Sequence, residues 1–199
     1  MLSNTIYGEH LGEMEAVKNR LLDVIGKTRE KMKADSGMDP VEHVLARIKS
    51  EESMREKCRR NGLPEDENSA LNVIHDAIGL RVVCAFLDDV YAMRDALAEI
   101  SGAEIVSEKD YIRAAKPNGY RSYHMILRLD GYFAEIQLRT ISMDTWAALE
   151  HHMKYKKNIQ DSRLITDELK RCADELASTD VSMQTLRDMI LDKSRGQTE

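Results

Sequence analysis

Cysteine is scarce in this sequence, and its three copies follow no spacing that is typical of a metal site. An odd number of cysteines also argues against a disulfide framework. Cys84 falls in an apolar run with the pattern of a strand, so we interpret it as a small buried hydrophobic residue. The sequence therefore favours neither a cysteine-based metal site nor a disulfide-stapled fold.

Long apolar segments are missing as well. No run approaches the length needed to cross a membrane, and the first residues lack a signal-peptide pattern. We therefore expect a cytoplasmic protein with no membrane partner. Repeats and low-complexity segments are also absent, and a length of 199 residues predicts a single domain.

The chain has no overall excess of basic charge. Its net charge of −6 argues against a general nucleic-acid binder. Basic residues are nevertheless concentrated in one segment, which contains Arg47, Lys49, Arg55, Lys57, Arg59 and Arg60. A solvated helix face is the usual explanation of such a run. Because Arg47 and Lys49 alternate along a predicted strand, a local anion site is the better interpretation here.

The spacing of apolar residues predicts an α+β domain, with a mixed sheet of about five strands flanked by helices. Helices are expected at residues 9–34, 50–60, 69–74, 88–100, 142–156 and 162–192. Strands are expected at 42–49, 77–86 and 102–110, followed by a hairpin. We divide the single domain, 1–199, into a helical N-terminal extension (1–38), a core (40–157) and a C-terminal helix (162–192).

The hairpin prediction depends on the dipeptide Asp130-Gly131. This dipeptide favours a two-residue turn, because both central residues of such a turn need a positive φ. The turn sets four cross-strand pairs: Leu129 with Tyr132, Leu127 with Ala134, Met125 with Ile136, and Tyr123 with Leu138. These residues form one apolar face, which we expect to lie against the core.

The opposite face of the hairpin is polar. It carries Ser122, His124, Arg128, Glu135, Gln137 and Arg139. A single histidine in a sheet usually has a structural role, but His124 faces Gln137 and lies beside Glu135, which favours a functional site. Upstream, the segment Lys116-Pro117-Asn118-Gly119 offers backbone amides and a lysine to an anion.

Two carboxylates are candidates for a magnesium site. Asp76 begins a buried strand, and Glu135 interrupts the apolar pattern of another. Mg²⁺ keeps several waters and takes one or two protein carboxylates beside phosphate oxygens, so this pair suits it. For Asp76 alone, a cap or turn role is the ordinary alternative. Since Asp76 and Arg81 are five positions apart, strand alternation places them on opposite faces unless Gly79 marks a bulge.

Five segments, taken in order, resemble the synthetase domain of the RelA/SpoT family. They read RIKS (47–50), HDAIGLRV (75–82), KPNGYRSYH (116–124), AEIQLRT (134–140) and WAALEHHMKYK (146–156). The resemblance implies a nucleotidyltransferase-like fold and a small alarmone synthetase of the bacterial cytoplasm. Such an enzyme transfers pyrophosphate from ATP to the 3′-hydroxyl of GDP or GTP, giving ppGpp or pppGpp and AMP.

The resemblance also implies a binding site for ATP. Arg47 and Arg81 would hold the adenine between them, since guanidinium groups stack on flat rings. Lys49, Ser53 and Lys57 match positions that hold the phosphates. From the sequence alone, an exposed position on an edge strand is the ordinary interpretation of Arg47.

The acceptor guanine nucleotide would stack on Tyr120, with His124 near its phosphates or ribose. Other residues that match the acceptor site are Lys116, Gln137, Arg139 and Asp144. Many relatives have asparagine at the position of Asp144, and an acidic residue there is expected to disfavour GTP relative to GDP. For Tyr120, anchoring the loop to the core is the ordinary alternative.

Catalysis is assigned to the two carboxylates by the same resemblance. Asp76 and Glu135 would hold Mg²⁺, and Glu135 would act either as general base or only as a metal ligand. Glu150 and His151 would support the site from behind.

Two other functions remain open at this point. One is pyrophosphorylation of the tRNA 3′ end or of adenosine nucleotides, although the acidic net charge disfavours a tRNA partner, and we expect no nucleic-acid partner. The other is nucleotide binding without catalysis.

We also expect a homo-oligomer, a tetramer by resemblance. The first and last helices carry more apolar periodicity than one small sheet can cover, although each stripe must partly pack on its own domain.

Overall fold

The computed structural model describes residues 5–154 and 162–195. The helices within this part are α1 (Leu11–Ser36), α2 (Glu51–Arg60), α3 (Leu87–Ala98), α4 (Ile141–Lys154) and α5 (Ser162–Arg195), with a short π-helix at Ser69–Val73. The strands are β1 (Val41–Ile48), β2 (Ile78–Cys84), β3 (Ala103–Asp110), β4 (Tyr123–Leu129) and β5 (Tyr132–Thr140). The predicted helix at 142–156 is confirmed as far as Lys154, and its last two positions lie outside the described residues.

The five strands form one mixed sheet in the order β1-β2-β5-β4-β3. Strands β2 and β5 are parallel, and the other neighbours are antiparallel. The predicted α+β class, with long first and last helices, is therefore confirmed. Within the described residues, no helix is both long enough and apolar enough to cross a membrane.

The Asp130-Gly131 turn forms as predicted. Asp130 has φ 51° and Gly131 has φ 90°, which are the positive angles that a two-residue turn of this kind requires. All four predicted cross-strand pairs are present, from Leu129 with Tyr132 to Tyr123 with Leu138. The sequence of this one turn therefore fixes which side chains of the hairpin face the core and which face the site.

The apolar face of the sheet is covered by helices α1 and α3. On α1, residues Met14, Val17, Leu21 and Ile25 are each at most 2% exposed. Most of the apolar stripe on this helix therefore packs within its own chain, and of the expected surplus apolar surface only Leu11, at 38% exposure, is present. On α5, in contrast, apolar residues are exposed: Leu164, Val181, Met183, Leu186, Met189 and Ile190.

Two local signals place elements beside the site. The Ser50 side chain accepts a hydrogen bond from the backbone N–H of Ser53 (3.3 Å), so it caps α2 as predicted. Strand β2 ends at Cys84, two residues before the predicted end. Phe86 instead precedes α3, where its N–H donates to the Asp89 carboxylate (3.2 Å).

Candidate active site

The open face of the sheet carries two rows of side chains across neighbouring strands. In one row, Arg81 of β2 pairs with Gln137 of β5, which pairs with His124 of β4. In the next row, Arg47 of β1 pairs with Gly79 of β2, and Gly79 pairs with Glu135 of β5. Paired residues of neighbouring strands point to the same face, so these side chains share one surface.

Gly79 leaves a gap between Arg47 and Glu135. The ladder is regular on both sides of Gly79, so the bulge considered there is wrong. Since glycine has no side chain, a cavity of about 390 Å³ opens above it, lined by Leu45, Ala46, Arg47, Gly79, Leu80, Arg81, Glu135 and Gln137. Gly79 therefore contributes to the site by leaving room for a ligand, and Arg47 and Arg81 line the same cavity.

Asp76 lies in the turn before β2, so strand alternation does not constrain its direction. Its Oδ2 accepts from Lys57 Nζ (2.6 Å) and lies 2.9 Å from Lys49 Nζ. Burial raises the pKa of Asp76, but the hydrogen bonds and charges of the two lysines outweigh it and bring the pKa below its ordinary value. Asp76 is thus an anion held beside two of the predicted phosphate-binding lysines.

The other oxygen of Asp76 is in a different environment. Asp76 Oδ1 is buried and has no hydrogen-bond partner in the described part of the chain. A buried carboxylate oxygen without a partner is costly, so its presence needs an explanation. The missing partner of Asp76 Oδ1 is either a cation that the oxygen coordinates or a water that donates a hydrogen bond to it.

Glu135 and His124 lie next to each other on the polar face. Glu135 Oε2 accepts from Gln137 Nε2 (3.3 Å), and its Oε1 lies 3.9 Å from His124 Nδ1. Burial, with help from the charges of Arg139 and of nearby lysines, lowers the pKa of His124 to about 4. At neutral pH the imidazole is therefore uncharged, and its contact with Glu135 is not an ion pair.

Tyr120 lies between Arg139 and His124. Arg139 Nη2 donates to the Tyr120 hydroxyl (2.7 Å), and that hydroxyl lies 2.8 Å from His124 Nε2. In the tautomer whose Nε2 accepts the hydroxyl proton, the imidazole proton is on Nδ1, the nitrogen that faces Glu135. The order Arg139–Tyr120–His124–Glu135 is thus a chain of polar contacts that ends at the candidate base.

Asp144 does not project freely toward an acceptor. Its Oδ1 lies 3.0 Å from Arg139 Nη1 and 3.3 Å from Arg81 Nη1, and its Oδ2 lies 3.8 Å from His43 Nε2. Burial and the charge of Arg139 lower the pKa of Arg81, whereas Asp144 raises it. The carboxylate therefore balances two guanidinium groups that the sequence assigned to different nucleotides.

A second cavity lies on the other side of Arg81. It has a volume of about 440 Å³ and is lined by Arg81, Tyr120, Arg139, Ala147, Ala148, Glu150, His151 and His152. The ammonium of Lys116 lies 4.9 Å from the Tyr120 ring centroid, as expected for a loop that carries both residues. Of the predicted acceptor residues, Tyr120 and Arg139 line this second cavity, whereas Gln137 lines the first. Of the predicted adenine clamp, Arg47 lines only the first cavity and Arg81 lines both.

Three contributors were not identified from the sequence. Gly79 opens the first cavity. Tyr111 lies beneath the Lys116 ammonium, 4.5 Å from ring centroid to Nζ. Asn118 Nδ2 donates to Glu150 Oε1 (3.2 Å), which explains how Glu150 supports the loop. Asn118 and Gly79 lie inside the quoted segments KPNG and HDAIGLRV, whereas Tyr111 had no local signal.

The comparison with protein families agrees with this geometry. A family model described as "Region found in RelA / SpoT proteins" matches residues 46–160. GTP pyrophosphokinase YwaC of Bacillus subtilis is 42% identical over 146 residues, which are 69% of this chain and 70% of that protein. The chain belongs to the RelA/SpoT family.

Solved structures support the same assignment. Small alarmone synthetase 1 from Bacillus subtilis bound to its product pppGpp superposes with a TM-score of 0.72 at 28% identity, over 90% of this chain and 93% of that one. The same synthetase bound to AMPCPP gives a TM-score of 0.66 at 27% identity, over 91% and 93%. This RelA/SpoT protein therefore shares the architecture of small alarmone synthetases.

Proposed function

We propose that this protein transfers a pyrophosphoryl group from ATP to the 3′-hydroxyl of GDP or GTP, giving ppGpp or pppGpp and AMP. The observation that carries the proposal is the pair of cavities on either side of Arg81, with Glu135 on the wall of the first and its neighbour His124 joined to Tyr120 of the second. Two nucleotides that react with each other need adjoining sites. The relatives named as GTP pyrophosphokinases support the same reaction.

ATP is assigned to the cavity over Gly79. Arg47 and Arg81 are two of its walls, and planar guanidinium groups stack well on an adenine ring. Lys49 and Lys57, which converge on Asp76, would bind the phosphates, with Ser53 one turn before Lys57 on α2. The AMPCPP complex of the Bacillus subtilis synthetase supports an adenine nucleotide at this fold.

Mg²⁺ is assigned to Asp76 and Glu135. The fit depends on the buried Asp76 Oδ1, which has no partner in the described residues, and on the Glu135 carboxylate across the parallel β2–β5 pair. In residues 5–154 and 162–195, no group of three or more His, Cys, Asp or Glu side chains is arranged to hold a metal ion. We therefore assign the ion two protein carboxylates, with phosphate oxygens and water as its other ligands. When bound, the ion would neutralise charge on the transferred phosphates.

The acceptor guanine nucleotide is assigned to the second cavity. Tyr120 offers its ring to the guanine, and Lys116 and Arg139 supply positive charge for the phosphates. The pppGpp complex of the Bacillus subtilis synthetase supports a guanine nucleotide bound to this fold. Gln137 and Asp144 contact Arg139 and hold its guanidinium in place.

Glu135 is the proposed general base for the 3′-hydroxyl. Its neighbour His124 is neutral, and His124 Nδ1 lies 3.9 Å from Glu135 Oε1, so the histidine forms no ion pair that would hold the carboxylate away from the 3′-hydroxyl. Attack on the β-phosphorus builds negative charge, which Lys49 and Lys57 would stabilise.

The direct test is incubation with ATP and Mg²⁺ plus GMP, GDP, GTP or deacylated tRNA, followed by chromatography of the products. We expect ppGpp from GDP, pppGpp from GTP, and AMP in equal amount. Glu135→Gln should abolish this synthesis and leave the thermal unfolding midpoint nearly unchanged, because within the described residues Glu135 forms no ion pair with a lysine or an arginine. Turnover near the wild-type level in that variant would end the assignment of Glu135, and a product from tRNA alone would replace the proposed function.

The assembly and the location of the protein are also part of the proposal. The exposed apolar residues of α5 support a homo-oligomer, which the resemblance suggests is a tetramer. Light scattering at micromolar concentration measures this directly, and a single-subunit mass with full activity would contradict it. The substrates are cytoplasmic nucleotides, so we place the protein in the bacterial cytoplasm.

A further inference from the structure

Helix α5 lies directly against the loop that carries Tyr120. A Cβ built on Gly119 would lie 2.7 Å from Ala173 Cβ and 3.1 Å from Lys170 Cα. Gly119 also has φ +91°, a conformation that residues with a side chain rarely adopt. Glycine therefore lets the loop backbone touch the helix at the residue just before Tyr120.

Arg121, the residue just after Tyr120, links the same loop to the same helix. Its Nη1 donates to the carbonyls of Gly119 (3.2 Å) and Ala173 (3.3 Å), and its Nη2 donates to Asp174 Oδ1 (2.9 Å). The Arg121 side chain is only 18% exposed, whereas its partner Asp174 is 45% exposed. One guanidinium thus joins the loop to itself and to α5.

Helix α5 is itself held on both sides of this contact. The indole N–H of Trp146 on α4 donates to the Leu169 carbonyl (2.8 Å). The Thr140 hydroxyl, at the end of β5, donates to Asp180 Oδ2 (2.6 Å), and burial raises the pKa of that carboxyl group. A helix fixed at both points provides a rigid surface for the loop.

We propose that Arg121 is a positioning residue for the acceptor nucleotide, and that it acts through Asp174 of α5. Fixing the residues on both sides of Tyr120 would hold its ring at one orientation before the base arrives, which lowers the ordering cost of binding. Helix α5 is then part of the acceptor site although it contacts no substrate. This inference rests on the proposed function, because the acceptor is assigned there.

A measurement without nucleotide tests the contact itself. Hydrogen exchange of residues 116–122 should be at least about five-fold faster in Arg121→Ala and Asp174→Ala than in the wild type. The matched control is Arg171→Ala, which removes an exposed arginine that pairs with Glu168 and Glu175 on the same helix. Equal exchange in all of these proteins would overturn the proposal.

Steady-state kinetics test the role in binding. Arg121→Ala should raise the KM for GDP about five- to ten-fold and change the KM for ATP by less than two-fold, whereas Arg171→Ala should change neither. The double variant Arg121→Ala/Asp174→Ala should be little worse than Arg121→Ala alone, because Arg121→Ala already removes the contact between the loop and Asp174. The other partner of Asp174, Lys170, lies on the same helix and does not join it to the loop. The charge swap Arg121→Asp/Asp174→Arg should recover part of the GDP affinity.

The outcomes separate the two levels of the hypothesis. A wild-type protein that makes no guanine tetraphosphate overturns the proposed function. An active wild type whose KM for GDP is unchanged in Arg121→Ala overturns only the positioning role. A parallel rise in the KM values for ATP and GDP, with a lower unfolding midpoint, also overturns it, because that result indicates general destabilisation. If Arg121→Ala does not fold, Arg121→Lys and Asp174→Asn provide the same comparison with smaller perturbation.

Discussion

Arg81 Nη1 lies 3.3 Å from Asp144 Oδ1, and this contact links strand β2 to helix α4 between the two cavities. The same oxygen lies 3.0 Å from Arg139 Nη1. One carboxylate therefore reduces the positive charge that the site offers to both nucleotides. At 17% side-chain exposure, Asp144 is shielded enough for its charge to affect its neighbours.

Replacing Asp144 with asparagine should favour acceptors that carry more phosphate charge. Without the carboxylate, Arg81 and Arg139 keep their full positive charge, so GTP gains more than GDP. We expect the ratio of kcat/KM for GTP to that for GDP to rise about five-fold, which corresponds to ~1 kcal/mol. The matched control is Asp23→Asn, which removes an equal charge from an exposed pair with Lys27 on α1. A ratio that stays constant, or changes equally in the control, would contradict this role of Asp144.

Tyr120 is expected to act on the acceptor and not on ATP. Tyr120→Ala removes the ring, and base stacking on an aromatic side chain is worth about 1–3 kcal/mol, so the KM for GDP should rise at least five-fold. Tyr120→Phe keeps the ring but removes the hydroxyl that contacts His124 and Arg139, so it should lower kcat more than it weakens GDP binding. If Tyr120→Ala weakens ATP and spares GDP, the assignment of the two cavities is reversed.

A side chain at position 79 should leave the fold intact but weaken ATP binding. A Cβ built there meets only the Arg47 carbonyl, at 4.0 Å, so Gly79→Val introduces no severe backbone contact. The branched side chain would fill the space between Arg47 and Glu135, and the KM for ATP should rise at least ten-fold. Gly79→Ala provides a graded comparison with a smaller expected effect. Wild-type ATP affinity in the valine variant would show that ATP binds elsewhere.

His124 makes the stability of the fold depend on pH. Its pKa is lowered to about 4 in the folded chain, from an ordinary value of 6.5. Between these values the unfolded chain binds a proton that the folded chain does not, so the free energy of unfolding falls as pH drops from 6.5 to 4. At 1.36 kcal/mol per pKa unit, this loss is up to about 3 kcal/mol.

The measurement is urea denaturation of the wild type and of His124→Gln at pH 7.5, 6, 5 and 4.5. The two curves of unfolding free energy against pH should converge as the pH falls, because glutamine has no proton to bind. Curves that stay parallel would show that His124 carries its charge in the folded protein.

Several features followed from the sequence because they are local. The positive φ angles that Asp130-Gly131 favours fix the hairpin turn, and a two-residue period then separates Met125 and Ile136 from Glu135 and Gln137. The side chain of Ser50 likewise caps α2 through a contact three residues away. Each of these needs only neighbouring residues, so a pattern in the chain is sufficient to predict it.

Other features were decided by contacts between distant segments. No bulge is needed to bring Asp76 and Arg81 into the same site. Asp76 lies before strand β2, so its side-chain direction is set by its contacts with Lys49 and Lys57 and not by strand alternation. Asp144 was read as facing an acceptor, but the structure places it between two arginines. The environment of a charged side chain depends on which groups the fold packs beside it. Those groups come from distant segments, so the residues next to the charge in the sequence do not reveal them.

The sequence by itself determined the order of elements and the two faces of the sheet, and the family resemblance supplied the site roles that we propose. Only the tertiary structure decided that Gly79 opens a cavity, that Arg81 separates two cavities, and that α5 lies against Gly119. Alternation and turn chemistry act over a few residues, whereas cavities and helix contacts arise where segments far apart in the chain exclude or admit each other's atoms.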